Sequence, residues 1–370
     1  MIVGIIGLGA MGLGIAQVYA QAGHQVLATD AQPASRASAV SRMAAALEPR
    51  VTKGVLTPEA RDALLSRLVV VDTIAALAPA ALVIEAVVEK LSVKQAVFAE
   101  LEPHLSPEAV LATNTSSLSV TEIAKGLTRP EQLLGLHFFN PAQVMKLVEL
   151  VAHPATSAQA LALARQVTEA AGKVVIACPD RPGFIVNRCA RPFYGEALAM
   201  LEEGRPAAQI DAAMLAAGYR IGPFALIDLV GADINLAATE GLHAAMGGNP
   251  RYHVFSALRE QVGRGNLGRK TGQGFIYPAD PGQAPDDTAA IALRIEATLV
   301  NEAAWLLDVG GIAPDSIDTA LKLGLNFPRG PFEILATHGR DRILETLSNL
   351  AKSAPAALAG RYTPARGLLP

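Results

Sequence analysis

The sequence predicts an α/β Rossmann-like, doubly wound domain followed by an all-α domain, the latter duplicated. Three observations lead to this prediction. A glycine-rich turn lies between a short apolar run and a helical segment at the start of the chain. Strand-like and helix-like segments then alternate to about residue 180. Alanine-rich helical periods follow, and they recur roughly 107 residues later. A chain of 370 residues has room for two or three such domains.

Composition and charge indicate a globular protein without a strongly charged partner. Apolar residues make up 51% of the chain and the net charge is -3, so neither nucleic acid nor an anionic membrane is expected. Two cysteines, Cys178 and Cys189, cannot form a disulfide framework and favour a reducing compartment. Residues 1–29 lack Asp, Glu, Lys and Arg, but a signal peptide needs an early cation and the first is Arg36. We therefore expect a cytoplasmic protein.

The first elements form a pattern typical of dinucleotide binding. The apolar run 2–6 predicts a central parallel strand, and the GxGxxG of residues 7–12 follows it directly and precedes a helix. Its glycines allow a tight turn and close approach to a pyrophosphate. A second predicted strand ends at Asp30, where a carboxylate would bind a ribose 2′-hydroxyl and repel the extra phosphate of NADP. The predicted NAD contacts here are Gly7, Gly9, Ala10, Met11, Gly12 and Asp30.

The alternation continues through the rest of the first domain. A helix is predicted at 36–51, and Thr57 with Pro58 indicates the cap and first position of another. Because ligands of doubly wound sheets bind at the carboxyl ends of the strands, polar residues there become candidates. Further strands are predicted at 68–71, 81–85, 110–112 and 133–137, with a helix at 89–101 between them. The strand-end candidates are Glu85, Ala86, Glu89, Asn114, Ser116 and His137.

Two polar groups near these strand ends have two interpretations each. The cluster of residues 113–117, Thr-Asn-Thr-Ser-Ser, either caps a helix beginning near Val120 or presents donors to a nicotinamide and a substrate oxygen. Asn114 and Ser116 are the candidates for the second role. Lys94, one turn beyond Glu89, either pairs with that residue or a ligand, or is simply solvated at the surface.

His137 and Glu149 are the candidate proton-transfer pair. The histidine ends one apolar run and the carboxylate lies within the next, so neighbouring strands would bring them together. A carboxylate that orients an imidazole gives an acid–base group that works near neutral pH. A purely structural pair is the competing interpretation. No His or Cys cluster has metal-ligand spacing, and none is needed for this chemistry.

Five motifs together resemble the 3-hydroxyacyl-CoA dehydrogenases of β-oxidation and related fatty-acid pathways. They are GLGAMG, VIEAVVEK, ATNTSSL, HFFNPAQVMKLVEL and PGFIVNR, in this order over residues 1 to about 277. The resemblance implies NAD-linked oxidation of an (S)-3-hydroxyacyl-CoA to the 3-oxoacyl-CoA. It also implies a catalytic His137, an orienting Glu149, and substrate-oxygen contacts at Ser116 and Asn187. Besides those already named, the implied or predicted NAD contacts are Glu89, Lys94, Asn114, Asn140 and Lys270.

The helical half begins after residue 180. We predict an NAD-binding domain at 1–180, a helical domain for substrate and dimerisation at 181–277, with its first helix near Phe184, and a degenerate repeat at 288–350. A linker rich in Pro, Gly and Asp separates the last two. A tail, 351–370, is expected to be poorly ordered at its end. The aligned pairs of the repeat are Glu196 with Glu302, Asp211 with Asp318, and Gly222-Pro223-Phe224 with Gly330-Pro331-Phe332.

The repeat keeps its packing residues and loses the chemistry. Leu293 stands where the first copy has Asn187, so one active site per chain is expected. The single-copy relatives of the resembled family dimerise through this domain. This chain therefore forms either a homodimer or an intrachain pseudo-dimer.

The acyl group is less well determined. The phrase at residues 190–198 resembles the branch that handles 3-hydroxyadipyl-CoA in phenylacetate breakdown, although 3-hydroxybutyryl-CoA fits as well. An adipyl substrate needs a cation at its far end, for which Arg188 and Arg191 are candidates; each could equally form an ion pair. Lys53 is a candidate for binding the CoA 3′-phosphate.

Two other functions stay open. One is an enzyme of the same fold that acts on a free hydroxy acid. The other is a catalytically idle structural homologue, against which the intact set of Ser116, His137, Glu149 and Asn187 argues.

Overall fold

The computed structural model describes residues 1–369, and the chain divides into two units, Met1–Phe184 and Ile185–Pro370. The first unit contains the whole β-sheet and the second is helical. In the described residues no helix is long and apolar enough to cross a membrane.

The first unit is built on one eight-stranded sheet. Its central strands are mainly apolar and, apart from Ile2, buried, as expected for strands covered by helices on both faces. The strands are β1 (Ile2–Ile6), β2 (Gln25–Thr29), β3 (Leu68–Val70), β4 (Leu82–Glu85), β5 (Val110–Thr113), β6 (Leu133–Phe138), β7 (Leu147–Ala152) and β8 (Val174–Pro179).

The strand order is β3-β2-β1-β4-β5-β6-β7-β8. All neighbours are parallel except β6 and β7, which run antiparallel. The predicted doubly wound domain is therefore confirmed. The strand order changes direction between β1 and β4, and sheets of this kind bind ligands at that position.

Helices cover this sheet, and their starts show which polar residues act as caps. Thr57 accepts from the backbone N–H of Ala60 at 3.2 Å, which confirms the predicted cap. The helix beginning at Val120 is capped by Ser119, outside the 113–117 cluster, so that cluster is not its cap. The helices of this unit are α1 (Ala10–Gln21), α2 (Pro33–Thr52), α3 (Pro58–Leu65), α4 (Leu91–Leu101), α5 (Val120–Ala124) and α6 (Ala158–Ala170).

The second unit starts with a short helix that carries Asn187. The prediction placed its start near Phe184, but Gly183 and Phe184 both have positive φ (74° and 48°), so the helix begins at Val186. The helices of this unit are α7 (Val186–Cys189), α8 (Arg191–Glu202), α9 (Ala207–Ala216), α10 (Pro223–Val230), α11 (Ala232–Ala245), α12 (Ser256–Gly263), α13 (Thr288–Asp308), α14 (Pro314–Leu325), α15 (Pro331–His338) and α16 (Arg340–Ser353).

Two aspartates cap helices in the same way in the two halves of this unit. The Asp211 carboxylate accepts from the first-turn N–H groups of Phe224 and Ala225 in α10. Asp318 does the same for Phe332 and Glu333 in α15. Because the two caps occupy equivalent sequence positions, we propose that residues after 288 are a second copy of the first helical segment.

The two halves also exchange buried ion pairs. Oε1 of Glu302 accepts from Arg188 Nε at 2.7 Å and from the Tyr252 hydroxyl at 2.5 Å, and Oε2 accepts from Arg251 Nε at 2.9 Å. Glu302 is 1% exposed, so this carboxylate depends on its three donors. We call these residues the Glu302 cluster.

The Glu196 cluster repeats this pattern with the halves interchanged. Oε1 of Glu196 accepts from Arg294 Nε at 2.7 Å and from the Tyr362 hydroxyl at 3.0 Å, and Oε2 accepts from Arg361 Nε at 3.3 Å. Each half thus contributes the buried glutamate of one cluster and the two arginines and the tyrosine of the other. Such an exchange is the pattern of an isologous interface.

The described part of the tail is packed, which differs from the predicted poorly ordered end. Tyr362, Ala365 and Leu368 are at most 3% exposed and belong to an apolar cluster that includes residues of α13 and α16. Arg361 is equally buried because it binds Glu196. Pro370 lies outside the described residues.

Candidate active site

His137 and Glu149 face each other across the antiparallel pair of strands. They are direct register partners in β6 and β7, and Nδ1 of His137 lies 2.6 Å from Oε2 of Glu149. Glu149 is fully buried and His137 is 6% exposed. The imidazole also contacts the rings of Phe139 and Phe184, at centroid distances of 4.5 and 5.9 Å.

This contact determines what the imidazole can do. A carboxylate only accepts hydrogen bonds, so Nδ1 of His137 carries a proton and Nε2 is left as the basic nitrogen. A proton taken up at Nε2 would produce an imidazolium beside a buried carboxylate, which stabilises it. The pair can therefore receive a proton from a neutral donor.

Glu89 organises the loop that follows β5. Its Oε1 accepts from the Thr115 hydroxyl at 2.7 Å, from Ser116 N at 2.8 Å and from Ser117 N at 3.1 Å, and it lies 3.2 Å from the Ser116 hydroxyl. Burial favours the neutral acid, but Lys94 and these hydrogen bonds outweigh it and hold the pKa of Glu89 below its usual value. An ionised Glu89 therefore fixes the position of Ser116.

Lys94 lies beneath this loop and is fully buried. Its Nζ is 2.7 Å from Oε1 of Glu85, also fully buried, and 3.3 Å from Oε2 of Glu89. The Thr113 hydroxyl donates to the other oxygen of Glu85 at 2.8 Å. Of the two partners expected for Lys94, the structure shows Glu89, and it adds Glu85 from the end of β4. These contacts connect the ends of β4 and β5 by buried polar groups.

Asn114 connects β5 to the strand that carries the histidine. Its side-chain oxygen accepts from the backbone N–H of Phe138 at 2.8 Å, and its backbone N–H donates to the backbone carbonyl of Glu85. The residue next to His137 is thereby held in place. Asn140 follows on the loop after β6 and is exposed.

The glycine-rich turn has the form that a pyrophosphate requires. Gly7 has a φ of 95°, and a Cβ at Gly12 would lie 1.8 Å from the carbonyl oxygen of Gly7, so only glycine fits there. A Cβ at Gly9 would meet no protein atom within 4 Å, so the space in front of the turn is open. The start of α1 has no side-chain cap, which leaves its first N–H groups for an anion.

Asp30 lies beside this turn at the end of β2. Its carboxylate accepts from Leu8 N at 2.7 Å and from Gln32 N at 2.8 Å. Asp30, the residue predicted to bind the ribose, is thus adjacent to the turn predicted to bind the pyrophosphate. The residues present at both positions fit NAD.

Three other candidates are carried by elements other than these strands. Lys53 is exposed at the C-terminal end of α2. Asn187 and Lys270 belong to the second unit, where Lys270 pairs with Asp233. No group of three or more His, Cys, Asp or Glu side chains in residues 1–369 could hold a metal ion.

The chain matches two family models. The model described as 3-hydroxyacyl-CoA dehydrogenase, NAD binding domain, matches residues 2–181. The model described as 3-hydroxyacyl-CoA dehydrogenase, C-terminal domain, matches residues 183–277 and 291–366.

Similar proteins have these activities in their names. A 3-hydroxyadipyl-CoA dehydrogenase of Escherichia coli (strain K12) is 36% identical, with 94% of this chain and 93% of that one covered. The structure of a 3-hydroxybutyryl-CoA dehydrogenase from Escherichia coli K12 matches with a TM-score of 0.92 at 35% identity, over 100% of this chain and 97% of that one. An (S)-3-hydroxybutyryl-CoA dehydrogenase from Ralstonia eutropha matches with a TM-score of 0.72 at 36% identity. It covers 74% of this chain and 97% of its own, so about a quarter of this chain has no counterpart there.

Proposed function

The chain belongs to the 3-hydroxyacyl-CoA dehydrogenase family, and we propose from this premise how its residues divide the work of oxidising an (S)-3-hydroxyacyl-CoA with NAD⁺. The family establishes an NAD-dependent dehydrogenase. The observation that carries the assignment of roles is the buried His137–Glu149 pair, one strand away from the loop that holds Ser116.

Proton transfer belongs to His137. NAD⁺, which the glycine-rich turn and Asp30 would hold, would supply the acceptor for the hydride from C3, and oxidation to the ketone also requires that the hydroxyl proton of the substrate leave. Nε2 of His137 accepts that proton because Glu149 keeps Nδ1 protonated. Positioned acid–base groups of this kind contribute roughly 10²–10⁴ in rate.

Ser116 binds the substrate oxygen. Its backbone N–H and hydroxyl both lie against Glu89, so the side chain is held before the substrate arrives. Asn187 of the second unit is the proposed second contact to the same oxygen, on the basis of the family motif. An amide N–H of Asn187 would stabilise negative charge that develops on this oxygen, and the Ser116 hydroxyl would do so once its proton turns from Glu89 to the substrate.

Glu89, Lys94 and Asn114 are proposed as positioning residues. In the structure these residues contact protein groups: the Ser116 loop, the end of β4 and the backbone beside His137. Contacts of Glu89, Lys94 and Asn114 with NAD are proposed in addition. Contacts of Asn140 and Lys270 with NAD, and of Lys53 with CoA, are also proposals. A cytoplasmic location also stays a prediction.

The second helical copy is proposed to replace a partner subunit. Its Glu302 neutralises Arg188, the residue after Asn187, and its own arginines neutralise Glu196. The two helical halves of one chain therefore make the reciprocal contacts that two subunits would make across an isologous dimer interface. Light scattering of the purified chain would give a monomer mass if this is correct, and a stable dimer mass if a homodimer forms instead.

One assay tests the proposed activity directly. NADH is mixed with acetoacetyl-CoA, and the loss of NADH absorbance is followed; NADPH and free acetoacetate serve as comparisons. We expect turnover with NADH and the thioester. Turnover of the free acid alone would indicate the hydroxy-acid alternative, and no turnover of any 3-oxoacyl-CoA would indicate an idle homologue.

A further inference from the structure

Arg191 is a buried arginine without an acidic partner. It is 8% exposed; Nε donates to the carbonyl oxygen of Asn187 at 3.2 Å, and Nη1 donates to the Thr239 hydroxyl at 3.0 Å. Nη2 has no hydrogen-bond acceptor in residues 1–369, and no carboxylate oxygen there lies within 4.0 Å of the guanidinium nitrogens. The guanidinium therefore keeps one unused donor group and an uncompensated charge.

The neighbouring buried arginines of this unit are neutralised. Arg188 and Arg361 are 3% and 4% exposed, and they bind the buried carboxylates of Glu302 and Glu196. The ion-pair interpretation of the two predicted cations is therefore correct for Arg188 and does not apply to Arg191. Of these two cations, only Arg191 retains a charge that an anion could compensate.

Burying a guanidinium among neutral acceptors is unfavourable. Arginine does not lose its proton in proteins, so its burial must be offset by hydrogen bonds or by an anion. The carbonyl, the hydroxyl and the ring of Tyr194, whose centroid lies 4.8 Å from Cζ, supply only part of this. Burial lowers the pKa of Arg191, which is the direction expected for a charge that the protein leaves uncompensated.

Tyr194 offers a second donor beside Arg191. Its side chain is buried, and its hydroxyl has no hydrogen-bond partner in the described part of the chain. Burial raises the pKa of this phenol, so the hydroxyl keeps its proton and can donate. A buried hydroxyl without a partner is unfavourable. Arg191 and Tyr194 therefore share one requirement, an acceptor that no protein group supplies.

A cavity of about 10 Å³ is lined by both of these side chains. It lies entirely within the second unit, and no Asp or Glu is among its ten lining residues. Its other polar lining comes from Thr239, Arg251, Tyr252 and His253. A space of this size admits one water-sized group, which excludes phosphate and the carboxylate end of an acyl chain. A chloride ion is only slightly larger than a water molecule.

Water and chloride would satisfy this cavity differently. A water molecule accepts from Nη2 of Arg191 and from the Tyr194 hydroxyl, but it leaves the charge of the guanidinium uncompensated and adds two protons that need acceptors of their own. A halide ion only accepts, and it carries the opposite charge. The two unpaired groups are both donors, so the halide is the better match.

We propose that this cavity binds one chloride ion, held by Nη2 of Arg191 and the hydroxyl of Tyr194. The ion completes the neutralisation of the buried cations of this unit, as Glu302 does for Arg188 and Glu196 does for Arg361. The site contributes to stability, and it does not depend on the proposed dehydrogenase activity.

The first test is the melting temperature of the full chain after dialysis into sodium gluconate, measured in chloride, bromide or gluconate at one ionic strength. Gluconate is too large for the cavity and serves as the reference anion. Chloride and bromide should each raise the melting temperature of the wild type by a few degrees and in a saturable manner, because a ligand that binds only the folded state stabilises it.

Variants of the two donors locate the effect. Arg191→Met should abolish the difference between chloride and gluconate. Tyr194→Phe keeps the ring and removes only the unpaired hydroxyl, so it should fold normally and raise the half-saturating chloride concentration roughly ten-fold, the scale of one hydrogen bond to a charged group. Arg264→Met, which removes an exposed arginine, is the matched control and should behave as the wild type does.

The second test needs no variant. Wild-type crystals grown in sodium bromide should show one anomalous bromine peak beside Arg191 and Tyr194. Absence of this peak would mean that the cavity holds water only and would overturn the proposal. A peak without any chloride effect on the melting temperature would show binding at crystal concentration only, and a chloride effect that persists in Arg191→Met would place the anion elsewhere; either result would also overturn it.

Discussion

Nδ1 of His137 lies 2.6 Å from Oε2 of Glu149, and the two residues are paired across β6 and β7. This is the one antiparallel pair in the sheet, so the reversal of β7 is what places a carboxylate directly opposite the histidine. Glu149 is fully buried, and the imidazole beside it is its stabilising partner. The arrangement gives the imidazole a fixed tautomer before substrate binds.

Replacing Glu149 by Gln should therefore lower kcat by roughly 10²-fold or more, within the range of acid–base assistance. Glutamine can still bond to Nδ1, but it does not stabilise the imidazolium that forms on proton uptake. Single-turnover measurements with saturating NAD⁺ separate this step from product release. Dissociation of NADH, followed by its fluorescence, should stay near the wild-type value. An unchanged single-turnover rate would remove Glu149 from the mechanism.

Glu89→Gln should raise KM for the acyl-CoA and lower kcat. The neutral amide oxygen is a weaker acceptor for the donors of the Ser116 loop, and the amide NH2 would face Nζ of Lys94, which Oε2 now contacts at 3.3 Å, so the loop is held less firmly. The matched control is Glu100→Gln, an exposed residue of the following helix. Steady-state assays and NADH binding measured on the same samples distinguish an effect on the acyl-CoA site from one on the NAD site. Equal kinetics in the Glu89 and Glu100 variants would contradict the positioning role.

Glu302→Ala and Glu196→Ala should each destabilise the chain by about 3–5 kcal/mol, the cost of leaving buried charges without a partner. Each change removes the buried carboxylate that two arginines and a tyrosine of the opposite half share. Arg294 keeps its second partner, Glu203, so the loss should be the smaller one for Glu196→Ala. Urea unfolding of the full chain measures the loss, and Glu345→Ala, an exposed residue of α16, is the control.

The two glutamate variants should also differ in kinetics. Glu302 binds Arg188, which follows Asn187 in α7, so the Glu302 variant should raise KM for the acyl-CoA more than the Glu196 variant does. Losses below 1 kcal/mol for both would show that the reciprocal clusters do not hold the two copies together.

Asp211 should make stability depend on pH. Burial raises its pKa from 3.8 to about 7, against two backbone N–H bonds that favour the ionised form. Since the folded pKa lies above the unfolded one, the stabilising contribution is complete below about 4 and is lost as pH rises towards 7. The gap in melting temperature between wild type and Asp211→Asn should therefore narrow from pH 4 to about 8. Asp315→Asn, at an exposed position in α14, should show no such trend; a gap that widens for Asp211→Asn would contradict the sign.

The parts of the fold that were predictable depend on local patterns. Apolar runs and the GxGxxG turn indicated the doubly wound sheet, and the capping residue Thr57 was correct because a cap acts within one turn. The meeting of His137 with Glu149 was predicted from two adjacent apolar runs, and the structure confirms the contact.

The features that escaped prediction depend on contacts between distant residues. Lys94 was placed near Glu89, but its complete burial against Glu85 was not foreseen, since lysine is almost never fully buried unless it is paired. The tail, with Pro355, Pro364 and Pro370, was expected to be poorly ordered at its end, whereas Arg361 and Tyr362 within it bind Glu196 over 160 residues away. Sequence spacing does not show such pairs.

The central claim is that His137 takes the substrate proton during hydride transfer. The measurement that tests it most directly is the single-turnover rate of NADH formation by His137→Gln with saturating (S)-3-hydroxyacyl-CoA and NAD⁺, beside the NADH dissociation constant of the same variant. We predict a rate lower than wild type by roughly 10²–10⁴ with nearly unchanged NADH binding. A wild-type rate in this variant would contradict the claim.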